Sequence, residues 1–193
     1  MKTMKKTCLL ILLLSGCFFW MSNDVVQAAE KRLPKKVKQT VLGKYVTAGE
    51  AYDMWVKNPE GVDILDVRSP AEYVFVGHAS MAVNIPVSFY QWDMSLGDMV
   101  EVDNVQFENQ VSKRFSKKQT LLLMCRSGSR GAKAVNRLAD HGYLNVYNIT
   151  DGFEGDKVRD KKSAYTGKRF RNGWKNALSN WTYDLNPELS YKK

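Results

Sequence analysis

Cysteine is scarce in this 193-residue chain, with three in all: Cys8, Cys17 and Cys125. The first two fall in an amino-terminal apolar segment, which leaves the remainder one thiol and excludes a disulfide framework there. Long hydrophobic runs are missing too. The longest, from Cys8 to Met21 and broken only by Ser15 and Gly16, is too short for a comfortable membrane span. The basic stretch from Lys157 to Lys193 has no internal repeat and no recognisable nucleic-acid-binding motif, and the chain's basic balance, 29 Lys and Arg against 20 Asp and Glu, reads as solubility plus attraction of small anions ahead of nucleic acid or an anionic membrane surface.

What is present begins with a targeting pattern. Met1-Lys2-Thr3-Met4-Lys5-Lys6 is a basic start, the apolar run follows, and Val26-Gln27-Ala28-Ala29 offers small residues for cleavage after Ala28. Residues 1–28 therefore read as an export signal, which places the domain outside the cytoplasm, in a periplasm-like compartment. A competing pattern is Leu14-Ser15-Gly16-Cys17, which resembles a lipoprotein signal in which Cys17 would carry the lipid. Soluble export is ranked ahead of that anchor, and membrane contact is expected only through such a lipid.

Residues 29–43, with Lys31, Arg32, Lys35, Lys36 and Lys38, read as a basic linker or loosely held arm. Thr47-Ala48-Gly49-Glu50 has the spacing of a helix capping box, and Ser69-Pro70-Ala71-Glu72 repeats it with proline at the first helical position. Short apolar runs at 62–67, 82–86, 120–124 and 146–149 read as strands, and helical periodicity after position 131 ends at Gly142. Alternating strands and helices argue for an α/β fold with a parallel sheet covered on both faces, whose ligands bind at the carboxyl ends of the strands. Residues 88–104 show no clear period and read as a loop or lid. Residues 158–193 form a basic, aromatic carboxyl-terminal extension, read as a tail whose aromatics pack on the domain.

The chemistry concentrates in Cys125-Arg126-Ser127-Gly128-Ser129-Arg130-Gly131, between a strand end and a helix start. Backbone N–H groups there can converge on one anion, the glycines permit tight curvature, and Arg126 and Arg130 add positive charge. That setting favours a thiolate and makes Cys125 a candidate nucleophile, with the rest of the loop as the binding cradle for an anionic substrate. A small buried cysteine ending a core strand is the bland alternative, but it leaves the polar residues after it unexplained.

This window resembles the Cys-Arg-Ser-Gly-x-Arg active loop of rhodaneses. Upstream, Asp66-Val67-Arg68, Glu72-Tyr73, Gly77-His78 and Asn84-Ile85-Pro86 are similar, in order, to that family's other signature. The resemblance covers about residues 44–155, with the domain taken as 44–157, and implies a rhodanese-like five-stranded parallel sheet flanked by helices on both faces. It further implies a sulfurtransferase that moves sulfane sulfur from thiosulfate or a similar small sulfur anion to a thiol, cyanide or protein acceptor, through a persulfide on Cys125. No metal and no organic cofactor is expected, and no nucleic-acid partner. Asp66, Arg68 and His78 are expected to brace the domain.

The sequence departs from the family pattern in the long 88–104 segment, where Trp92 is a candidate rim residue, and in Asp151-Gly152-Phe153-Glu154-Gly155-Asp156. Two rival readings share the fold. One is a cysteine phosphatase or arsenate reductase, whose loop places five residues between cysteine and arginine where this chain has four. The other is a non-catalytic module that docks on a redox partner.

Overall fold

The computed structural model describes residues 33–192. Residues 1–28, expected to be an export signal, and the Cys17 alternative lie outside the described residues. A five-stranded parallel sheet forms the centre, in the order β1 (Tyr45–Val46), β8 (Val146–Ile149), β7 (Thr120–Met124), β2 (Val62–Asp66), β4 (Val83–Asn84). Its middle is a straight ladder in which Asp63, Ile64, Leu65 and Asp66 face Leu121, Leu122, Leu123 and Met124.

Strands buried on both faces need apolar side chains at every position, and Leu121 to Met124 are all completely buried. Leu121 and Leu123 pack on one face with Phe107 and Val111 of α3 (Phe107–Arg114) and with Ala134, Val135 and Leu138 of α4 (Ser129–Asp140). Leu122 and Met124 face the other way, towards Ala48 and Ala51 of α1 (Ala48–Lys57) and Trp174 of α5 (Trp174–Ala177). At about 1.5–3 kcal/mol for each large apolar side chain buried, this double-sided strand is firmly anchored, and Cys125 is the next residue.

Both capping boxes form. Thr47 and Glu50 exchange side-chain to backbone bonds at the start of α1, and Ser69 and Glu72 do so at α2 (Pro70–Val76). Each ties down N–H groups that the first helical turn leaves without partners.

Two expectations change. The 88–104 segment is not a loop but an antiparallel hairpin, β5 (Ser88–Asp93) with β6 (Asp98–Asp103). Both its faces are largely exposed, so it carries none of the alternation by which a half-buried strand is recognised.

The arm is not loose over residues 33–43. It makes a short 3-10 turn at Lys36–Lys38, and the Lys38 ammonium donates to the Thr150 carbonyl at 2.7 Å and to Asp156 at 3.0 Å.

The carboxyl-terminal extension belongs to the same compact unit as the sheet. Trp174 is fully buried, β9 (Trp181–Thr182) pairs antiparallel with β3 (His78–Ala79), and the N–H of Asn84 donates to the Leu189 carbonyl.

Candidate active site

The strand β7 ends at Met124 and the chain turns at once into the loop 125–128, with α4 starting at Ser129. Cys125 is buried, and its Sγ accepts the backbone N–H of Gly128 at 3.1 Å. Gly128 is also the N-cap of α4, so the positive end of that helix sits against the sulfur. Its φ of 99° lies in the left-handed region, and a Cβ there would overlap the Thr150 carbonyl. Only glycine fits this corner without strain. Asn148 secures it from below, donating to the carbonyls of Gly128 and Lys38, each at 2.9 Å.

The loop rests on a second turn. The N–H groups of Phe153 and Glu154 donate to the carbonyls of Cys125 and Arg126 at 2.8 and 3.0 Å. Gly152, with φ of 63°, passes so close that a Cβ would run into the backbone of residues 125–127. That turn is itself held by α5, whose Trp174 and Lys175 N–H groups donate to the carbonyls of Gly152 and Phe153. Asp151 joins both sides by accepting from Ala48 N–H at 2.8 Å and Gly173 N–H at 3.1 Å, and burial pushes its carboxyl up despite those donors.

The two loop arginines part company. Arg126 is exposed, with no side-chain partner among the described residues. Arg130 is buried and grips Glu72 in a two-pronged ion pair, 2.7 and 2.6 Å, below the ring of Tyr90. Burial opposes its charge, but Glu72 outweighs that and raises the guanidinium's pKa, while Glu72, despite its own burial, is lowered by Arg130 and Ser69. The sequence leads one to expect both arginines to face an incoming anion; in the structure Arg130 is paired with Glu72, which ties α4 to α2, and Arg126 alone of the two is exposed. Ser127 and Ser129 stand at the loop's outer side, half-buried and exposed, and Gly131 lies buried in the first turn of α4.

Asp66 and Arg68 form a fully buried pair at 2.6 Å, and Arg68 also donates to the Gly77 carbonyl at 2.8 Å with its guanidinium over the Phe153 ring. His78 is buried, stacked on Tyr73 at 3.7 Å between ring centres, with Nδ1 3.0 Å from the Tyr73 carbonyl. None of the three has an atom bonded to Cys125; they fix the connections around β2 and α2. Trp92 lies on the hairpin, 58% exposed, two residues beyond Tyr90 on the same strand face.

Glu72, Asn148 and Asp151 carry no site role that can be read from the chain. Glu72 was visible as a capping residue, but its second partner, 58 positions away, has no local signal. Asn148 and Asp151 look like ordinary strand-end polar residues until the sheet brings them under the loop.

A family model described as the rhodanese-like domain matches residues 47–157. A relative from Arabidopsis thaliana, named thiosulfate sulfurtransferase 16, chloroplastic, is 32% identical over 126 residues, covering 65% of this chain and 89% of the relative. An uncharacterized protein of Rickettsia conorii is 30% identical over 140 residues, 72% of this chain and 96% of the relative. Among solved structures, the Rv0390 protein of M. tuberculosis superposes with a TM-score of 0.56 at 27% identity, covering 72% of this chain and 96% of that one. With the parallel sheet and the cysteine loop at the carboxyl end of its central strand, these matches make the chain a member of the rhodanese-like domain family.

Proposed function

We propose that the protein is a sulfurtransferase that carries sulfane sulfur on Cys125. The observation that carries this reading is the Gly128 N–H aimed at Sγ at 3.1 Å, at the amino terminus of α4. A backbone donor that already points at sulfur stabilises negative charge there, whether the group is a thiolate or the persulfide that replaces it.

In the first step the Cys125 thiolate attacks the outer sulfur of thiosulfate. A new S–S bond forms, the donor's S–S bond breaks, and sulfite departs with its electron pair. In the second step an acceptor such as cyanide or a thiolate attacks the outer sulfur and returns Cys125 to a thiolate. No proton donor is needed for either leaving group. Arg126, exposed on the loop itself, is the cation placed to meet the donor.

Phosphatase or arsenate chemistry fits less well. Four residues separate Cys125 from Arg130, and the Arg130 fork that would have to clamp a phosphate is occupied by Glu72. The hairpin β5–β6 is proposed as the rim that screens acceptors, with Tyr90 and Trp92 on its inner face, and export through residues 1–28 stays part of the proposal.

Thiosulfate-to-cyanide turnover by the purified chain, with intact mass after thiosulfate alone, tests the reading. Wild type gains the mass of one sulfur and turns over; Cys125→Ser does neither, and Arg126→Gln raises KM for thiosulfate about tenfold, the loss of one charge-assisted contact. Absence of both signals from folded, reduced wild type overturns it.

A further inference from the structure

Beside the loop lies an open cleft of about 790 Å³, the size that takes a whole small ligand. The arm forms one wall and residues 156–172 the other, while Ser127 and Ser129 of the cysteine loop form its inner end. Most of the lining outside that inner end falls beyond the family-matched residues 47–157, so the cleft is built largely from the segments that flank the matched span.

Its charge is one-sided. Lys35, Lys157, Arg159, Lys161 and Arg171 are exposed along it. Two further cations are turned inward and build the walls: Lys38 bonds Asp156 and the Thr150 carbonyl, and Arg169 donates to the Gly155 carbonyl at 2.6 Å. Asp156 is the one carboxylate in the lining, and it is neutralised by Lys38. Thiosulfate does not explain such a site. It carries its charge next to its reacting sulfur, whereas the cleft walls include the loop serines and not Cys125. A ligand that uses both must hold its negative groups away from its sulfur, on a spacer.

We infer that the cleft binds the distal phosphate or carboxylate groups of a small, multiply charged thiol, and thereby selects it as the sulfur acceptor for Cys125. The inference rests on the sulfurtransferase reading for the reaction but not for the binding. In the transfer, the acceptor thiolate attacks the outer sulfur of the Cys125 persulfide, the S–S bond to Sγ breaks with its electron pair returning to Cys125, and the acceptor leaves as a persulfide. Several guanidinium and ammonium groups around one anionic end give charge-assisted bonds, strongest where arginine meets phosphate.

Coenzyme A and pantetheine, the same thiol arm with and without its nucleotide phosphates, are the probes. Titrated calorimetrically into the full chain carrying Cys125→Ser, coenzyme A binds and pantetheine does not. Adding Arg159→Gln with Arg171→Gln weakens coenzyme A at least about tenfold, Arg159→Lys with Arg171→Lys restores much of it, and salt narrows the difference. In the active protein the glutamine pair raises KM for coenzyme A while thiosulfate-to-cyanide turnover is unchanged. Equal binding of the two probes, or coenzyme A affinity indifferent to the glutamine pair, overturns the inference; capture of poly-glutamate in its place overturns it in favour of an acidic protein partner. Coenzyme A binding without any sulfur transfer keeps the cleft and removes the sulfurtransferase reading, whereas cyanide turnover without coenzyme A binding does the reverse.

Discussion

Glu72 performs two tasks with one carboxylate. Its Oε2 accepts from the Ser69 N–H and hydroxyl in the capping box, and both oxygens accept from the buried Arg130. Glu72→Gln keeps the shape and removes the charge, leaving a guanidinium buried without its counter-ion, an arrangement that costs about 3 kcal/mol or more. Chemical denaturation at neutral pH reads that loss. The pH dependence has a definite sign. Because the Glu72 carboxyl is held below its ordinary value of 4.5, its contribution is complete above the ordinary glutamate range and fades as pH falls through its lowered native value. The acid limb of the stability curve is accordingly shallower in Glu72→Gln. Cys125 and its loop were legible as residue types in a row, since a thiol, two glycines and two arginines within seven positions have few other uses. Which arginine is free was not legible, because Glu72 meets Arg130 only after α2 and α4 pack together.

At the scale of elements, the buried strands and capped helices could be read from the chain because burial on two faces demands unbroken apolar runs and a capping box is a local pattern. The hairpin could not. Its strands alternate nothing, with Trp92 and Met99 facing each other as exposed cross-strand partners, and the contacts that place it, Tyr90 over Arg130, Phe89 against Tyr191 and Asp103 with Lys133, all join residues far apart in the chain. Ser88 and Asp103 are directly paired at its base, so residues 89–102 can be exchanged for a short glycine-containing turn without stretching the domain. The expected result is a melting temperature lowered by a few degrees at most, near-normal persulfide formation from thiosulfate, and a several-fold change in KM among thiol acceptors. Unaltered acceptor constants would remove the rim role.

For the whole molecule, the family-matched span and the folded unit are different lengths. The aromatic content of the extension points to a tail that packs on the domain, and Trp174 is fully buried against the helix-α1 side of the sheet, but composition alone does not say that this packing extends the core. Trp174→Ala should cost about 3–5 kcal/mol, measured by denaturant titration, and a chain ended at residue 157 should show the broadened unfolding of a domain that has lost one side of its core. A cleaved or truncated chain that unfolds like wild type would make the extension dispensable. The stacking of three turns, residues 173–175 on 151–153 and 153–154 on the cysteine loop, also has a meaning in time. During synthesis the nucleophile at position 125 emerges well before the segment that steadies its cradle, so a nascent chain holds the thiol without the finished site. On the proposed reading, the cradle that would hold the sulfur is complete only when this last segment docks, so loading would follow assembly rather than accompany it.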